Sequence, residues 1–201
     1  MFSKYDVYVT VQFLYCYPKT DVLVNNLGIR DNSQLKIAEE KFTSARLFEL
    51  AISPVRGYFT KTHLCNLHKA IFQDVYPFAG KYRREDIYKG QTRFMPFHMV
   101  ESELNRLLAH LRKDNLLKGL SFDDFVVKLT YYMVELNVIH PFREGNGRTT
   151  REFIRMLADK NGYLIKWADV GQEELLDSVI ESHYNIDRLK QVMYNLLVAD
   201  E

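Results

Sequence analysis

The 201-residue chain has only two cysteines, no apolar run of membrane-spanning length, and no excess of either charge. Cys16 and Cys65 form no CxxC pair and are too few for a disulfide framework, which fits a reducing compartment. A helix that crosses a bilayer needs about 20 consecutive apolar residues, so nothing here is read as spanning a membrane. Lys plus Arg number 27 against 26 Asp plus Glu, a formal charge of +1. That balance excludes a global field drawing the chain to nucleic acid or an anionic membrane. Any basic site is therefore local. The opening MFSKYDVYVTVQFLYCYPKTD is partly apolar, but Tyr8, Thr10 and Gln12 interrupt it and no small-residue cleavage site follows. It is not read as a signal peptide, and a cytoplasmic location is expected. Repeats, low-complexity tracts and an evident interdomain linker are also missing.

What is present is enough apolar residue, 47%, for a sizeable core. The stretch YPKTDVLVNNLGIRDN mixes turn formers with apolar residues and reads as an irregular arm. Helical spacing follows over SQLKIAEEKFTSARLFELAI, where Leu35, Ala38, Phe42, Ala45 and Leu50 give one apolar face until SPVRG breaks it. A second helix begins after Thr60 or Thr62, carries Leu64, Leu67, Ile71 and Phe72, and ends before Pro77. FAGKYRREDIYKGQTRFMPF then changes texture, with short aromatic-containing runs about a KGQT centre that predict a hairpin whose edge could receive another chain. Arg83, Arg84 and Lys89 are expected to solvate it. Helix returns at MVESELNRLLAHLRKDN and again from Ser121, where Ser121 and Asp124 resemble a capping box. That helix is apolar on most sides, which predicts a central, buried element with Tyr131 and Tyr132 in the core. It delivers the chain into HPFREGNGRTTR. RTTREFIRMLADKN is helical again, with Gly162 as its stop, and QEELLDSVIESH and DRLKQVMYNLLVA are the last two helices. The fold class is mainly α.

Pro141 disfavours helical geometry at His140, so the long helix ends there and the next starts near Asn146 to Arg148. Gly145 and Gly147 let consecutive amides turn toward one concavity, a nest for anions, and the following helix adds its N-terminal N–H groups. Arg148 and Arg151, three apart, supply forked donors for phosphate oxygens, whereas Arg143 is read as facing solvent. Glu144 beside phosphate needs a cation between them, and magnesium takes few protein carboxylates. On isolated evidence, pairing with Arg143 or Arg148 is the better reading. Asn146 could hold the loop or donate to phosphate. His140 has the one side chain whose ordinary pKa suits proton abstraction near neutrality. The other five histidines show no metal-ligand spacing and are read as structural.

The stretch resembles the Fic family signature, H-x-F-x-[D/E]-G-N-G-R-x-x-R, at His140, Phe142, Glu144, Gly145, Asn146, Gly147, Arg148 and Arg151. YPFAGKYR and KGQTRFMPF resemble that family's flap, and the likeness covers about 59–162. The resemblance implies a single domain over 1–201, a helical bundle with a β-hairpin flap. It divides into an N-terminal arm and helix (1–58), a core (59–162) with flap 87–97 and active loop 140–151, and C-terminal helices (163–201). It further implies transfer of AMP from ATP to a Ser, Thr or Tyr hydroxyl of a target protein, with pyrophosphate leaving. In that reading His140 is the base and Glu144 binds Mg²⁺. The backbone of Gly145, Asn146 and Gly147 forms the anion hole, Arg148 holds phosphate, Arg151 holds the far end of the triphosphate, and Phe142 anchors the loop. The target would add a strand to the flap.

Self-inhibited relatives carry [S/T]-x-x-x-E-[G/N], and no glutamate here meets it. The N-terminal arm instead resembles members paired with a small antitoxin protein, which implies a toxin or effector restrained in trans by a partner masking Arg151. Other readings are a nucleotide-binding module without turnover and transfer of a different phosphate-containing group. GNGR favours AMP transfer. The neutral charge balance disfavours nucleic-acid binding.

Overall fold

A computed structural model describes residues 9–10, 14–90 and 92–199. Their helices are α1 (Asn32–Ile52), α2 (Lys61–Phe72), α3 (Val100–Lys113), α4 (Phe122–Ile139), α5 (Asn146–Asp159), α6 (Gln172–Glu181) and α7 (Asp187–Leu196). Local chemistry sets their starts. Asp31 accepts the Gln34 N–H at 2.9 Å to open α1, Thr60 caps α2 through the His63 N–H, and Ser121 caps α4 through the Asp124 N–H. Each satisfies a donor that the first turn leaves unpaired.

The central helix is α4, as its composition predicts. Phe125, Val126, Leu129, Tyr132, Met133, Leu136 and Ile139 are buried on it, and α3, α5 and α7 pack around it. Fully burying side chains of this size contributes roughly 1.5–3 kcal/mol each. Tyr131 departs from the reading at 37% exposure, because it lies on α4's one wet strip. α2 bridges α1 and α5. One continuous apolar cluster runs from Val22 to Leu197 and includes Phe142 of the active loop.

Three strands, β1 (Val9–Thr10), β2 (Ile87–Lys89) and β3 (Thr92–Arg93), make an antiparallel sheet in the order β1-β2-β3. The hairpin β2–β3 is the expected flap, with its strands confined to 87–89 and 92–93. The N-terminal strand was not expected. Val9 pairs with Tyr88 and Thr10 with Ile87, so the chain's own N-terminal segment lies along β2. A second antiparallel pair joins β4 (Tyr163–Ile165) to β5 (Leu197–Ala199). The reading of LVA as helix is thereby corrected: α7 stops at Leu196, and the β-branched Val198 meets Leu164 across a two-stranded ribbon.

The face of α1 also differs from expectation. Leu35, Thr43 and Leu50 are its buried residues, whereas Phe42 is 38% and Phe48 69% exposed. The inward stripe runs Leu35, Glu39, Thr43, Arg46, Leu50, with polar residues at three of its five positions.

Candidate active site

α4 ends where Pro141 forbids its continuation, and His140 takes a left-handed conformation (φ 47°, ψ 63°) as its C-cap. The loop from 141 to 145 is held from inside. Phe142 is buried, with its ring stacked on His68 at 3.9 Å between centroids. The Asn146 side chain closes the loop on itself, accepting the Phe142 N–H at 2.8 Å and donating to the Phe142 carbonyl at 2.7 Å. Of the two uses open to Asn146, the side chain therefore takes loop-holding. Gly145 adopts φ +80° immediately before α5, and a Cβ there would lie 2.2 Å from the Phe72 ring. No other residue satisfies both constraints.

His68 supports the same loop. Its Nδ1 accepts the Gly80 N–H at 2.8 Å, which makes Nε2 the protonated nitrogen, donating to the Glu144 carbonyl at 2.9 Å. Burial pushes its pKa down to about 4, so it is a neutral brace. That agrees with its structural reading and adds a place beside the active loop.

The predicted site residues converge on the N-terminus of α5, whose first N–H groups have no partner within the helix. Glu144 turns back so that its Oε1 accepts the Gly145 N–H at 2.8 Å, and it lies 3.8 Å from Arg148. Burial, and then the nearby Glu39 carboxylate, raise its pKa. Arg148 donates through Nη1 to Thr43 at 3.0 Å and through Nη2 to Glu39, with its guanidinium 4.7 Å above the Phe72 ring. Burial opposes its charge, but Glu39 and Glu144 outweigh that and hold its pKa above the ordinary value. Arg151 differs. Among the described residues it has no hydrogen-bonded or ion-paired partner, and burial followed by the Arg148 charge lowers its pKa to about 10. Its Nη1 reaches back toward Gly147, within 3.4 Å of where a Cβ would stand.

His140 opens the loop. Its Nδ1 is 3.1 Å from the Asn137 carbonyl, which accepts the ring N–H and leaves the lone pair on Nε2. Phe94, immediately after β3, stacks on the ring at 3.7 Å, and only 5% of His140 is exposed. Burial lowers its pKa to about 3, with the Arg83 charge adding in the same direction, so the ring is neutral at pH 7.

Two arginines correct the sequence reading. Arg83, expected to solvate the flap, is 2% exposed. Its Nε donates to the His140 carbonyl at 2.8 Å, Nη1 to the Glu85 carbonyl at 2.8 Å, and Nη2 to the Met95 and Ile139 carbonyls. It ties the segments that lead into β2 and out of β3 to the last turn of α4, where the helix dipole favours a cation. Arg143, expected to face solvent, is buried with its Nε 2.8 Å from Glu85. Glu85 in turn accepts the Leu14 N–H at 3.1 Å. The signal for this pair is the alternation Arg83, Glu85, Ile87, all buried, with Arg84 exposed between them, a strand period that begins before the strand itself. Charged residues default outward, so the alternation is masked by composition. Glu39 and Thr43 of α1 and Tyr76, just after α2, were likewise missed, since only the packing of α1 and α2 against the loop brings them there.

The Fic/DOC family model matches residues 58–158. Protein adenylyltransferase VbhT from Bartonella schoenbuchensis is 42% identical over 170 residues, covering 85% of this chain and 36% of the relative. The chain thus spans about a third of that protein. A probable protein adenylyltransferase, Fic, from Salmonella typhimurium is 39% identical over 160 residues, 79% of this chain and 78% of the relative. Among solved structures, BepC from Bartonella tribocorum with bound AMPPNP superposes with a TM-score of 0.85 at 23% identity, covering 93% of this chain and 97% of that one. That likeness shows a shared fold. Among the described residues, no helix is long and apolar enough to cross a membrane.

Proposed function

Because the chain belongs to the Fic/DOC family, we propose that its active loop transfers AMP from ATP to a hydroxyl side chain of another protein. Relatives named protein adenylyltransferases support the reaction class. A Fic-fold structure holding AMPPNP supports ATP as the donor. The observation that carries the reading is Arg151, a partly buried guanidinium without a partner among the described residues, aimed at the amide-rich start of α5. Polyphosphate satisfies both features.

The chemistry follows from the arrangement. The target hydroxyl oxygen attacks the α-phosphorus, the bond from that phosphorus to the bridging oxygen breaks, and pyrophosphate leaves with the electron pair. His140 Nε2 takes the hydroxyl proton, its tautomer set by the Asn137 carbonyl. The Gly145, Asn146 and Gly147 backbone cradles the phosphates once Glu144 releases the Gly145 N–H that it now accepts, Arg148 holds phosphate, and Arg151 holds the far end of the triphosphate. A divalent cation fits the donor set: Glu144, beside the start of α5, would hold Mg²⁺ whose remaining ligands come from phosphate and water. When bound, Mg²⁺ would neutralise charge on the phosphates and favour the ionised form of Glu144, against the burial that raises its pKa. His140 is covered by Phe94, so the target must move that ring aside. The chain acts as one domain over 1–201 in the cytoplasm, with its target docking as a strand on the flap. An inhibitor in trans fits a loop whose Arg151 no carboxylate of the described residues engages. A small antitoxin protein covering Arg151 is that partner.

The test is transfer of label from ATP into proteins of a bacterial lysate with Mg²⁺. Label is placed at the α- or the γ-phosphate, and wild type is compared with His140→Ala. AMP transfer predicts label from the α-position alone, reduced by about 10²–10⁴-fold in the variant while ATP affinity is retained. Label from the γ-position would make the protein a kinase. Nucleotide affinity without any transfer would leave a binding module.

A further inference from the structure

Arg148 sits between two carboxylates that stand in unequal relation to it. Glu144, from its own loop, is 3.8 Å away, while Glu39, from α1, is in direct hydrogen-bonded contact. Glu39 is itself fixed: its second oxygen accepts the Tyr76 O–H. Thr43, one turn further along α1, accepts the other arm of the guanidinium at 3.0 Å and is locked by donating its own hydroxyl to the Glu39 backbone carbonyl at 2.7 Å. The Phe72 ring fixes the guanidinium plane from one side. These contacts use two of the five N–H donors that a guanidinium carries and hold its orientation without help from the loop.

We propose, building on the reading that Arg148 binds phosphate, that Glu39 is a positioning residue for nucleotide binding: it holds Arg148 away from Glu144. The physical need is specific. With one guanidinium and two carboxylates in a buried corner, removing Glu39 leaves Glu144 as Arg148's nearest counter-charge, and closing the 3.8 Å gap would pair the two. That pairing would withdraw a phosphate ligand and the metal carboxylate together. Glu39 keeps both committed to the nucleotide, and Tyr76 and Thr43 keep Glu39 and Arg148 in register. The polar stripe on the inward face of α1 is thereby accounted for.

The test is Mg-ATP affinity, by calorimetry on the full chain, for wild type, Glu39→Ala, Arg148→Ala and the double variant. Glu39→Gln is measured beside them because it preserves shape and an acceptor for Arg148. Thermal unfolding of each identifies any that fail to fold. Glu39→Ala is expected to weaken affinity about tenfold, and to raise the Mg²⁺ concentration needed for half-maximal transfer. Glu39→Gln should recover most of the loss, and Glu39→Ala should add nothing in the Arg148→Ala background. A merely structural role would lower the unfolding midpoint without shifting the Mg²⁺ requirement. Equal losses with and without Arg148 would overturn the proposal, as would unchanged affinity in Glu39→Ala. Tighter binding in that variant would instead make Glu39 a competitor of phosphate. Wild type that fails to bind Mg-ATP would sink the nucleotide reading itself, along with this inference.

Discussion

Arg151 and Arg148 are three residues apart on one helix and share a guanidinium, yet their surroundings assign them opposite energetic roles. Arg148 is compensated by Glu39, whereas Arg151 is partly buried beside a like charge with no partner among the described residues. A desolvated cation without a counter-charge costs folding energy, so Arg151→Met should leave the unfolding midpoint unchanged or raise it. The same substitution should weaken ATP binding by about tenfold or more, the usual worth of charge-assisted bonds to phosphate. Calorimetry and thermal melts on one preparation decide this; a fall in midpoint together with unchanged affinity would make Arg151 structural. Residue-scale legibility was uneven for a reason visible here. The loop residues were readable because backbone constraint and chemistry coincide within twelve positions, from Pro141 ending a helix to Gly145 meeting Phe72. Arg83 and Arg143 were not, because a buried arginine is defined by carbonyls and a carboxylate far away in sequence.

Among the elements, helices with an apolar stripe and a cap were readable almost to their ends: α2 and α4 begin at the threonine and serine that the sequence nominates. α1 was located correctly but rotated wrongly, since its inward face carries Glu39, Thr43 and Arg46 for the sake of the site and of Asp74. β1, β4 and β5 were missed because each is only two or three residues long and exists through its partner strand. β1 bears on function. On the proposed strand docking, its pairing along β2 leaves an incoming target two routes, displacing Val9–Thr10 or adding beside β3, which continues into the Phe94 that covers His140. If displacement is the route, replacing both Val9 and Thr10 by proline, which removes their N–H donors, should favour the target. Losing a pairing worth roughly 1 kcal/mol should raise label incorporation about fivefold, with ATP affinity unchanged. Unchanged or reduced incorporation would place the target on β3's side.

At the scale of the whole molecule, the site sits where α4, α5, α2 and the flap meet, and its burial has a consequence for acid stability. Burial lowers the pKa of His68 to about 4 and of His140 to about 3, and shifts His63 and His183 in the same direction. Unfolded, these rings would take protons near pH 6.5. Folded, His68 and His140 stay neutral until the pH reaches their lowered values. Between those limits the unfolded chain binds more protons, so stability is full above about pH 7 and falls as the pH drops through about 6.5 toward 4. Each such histidine contributes a slope of up to about 1.4 kcal/mol per pH unit in that window. Glu144 acts with the opposite sign, because its raised pKa lets the folded state take a proton first, but it is one group against four. Asp74 and Asp114, with lowered pKa values, add to the loss only below about pH 4. Denaturant unfolding at half-unit steps from pH 7.5 to 4.5 should therefore show stability declining well before the carboxylates titrate. In His140→Ala the decline should be shallower, by up to one proton's worth of slope. Equal slopes in the two proteins would mean that His140 is already solvated, and that the Phe94 stack leaves the proposed base open to a target hydroxyl.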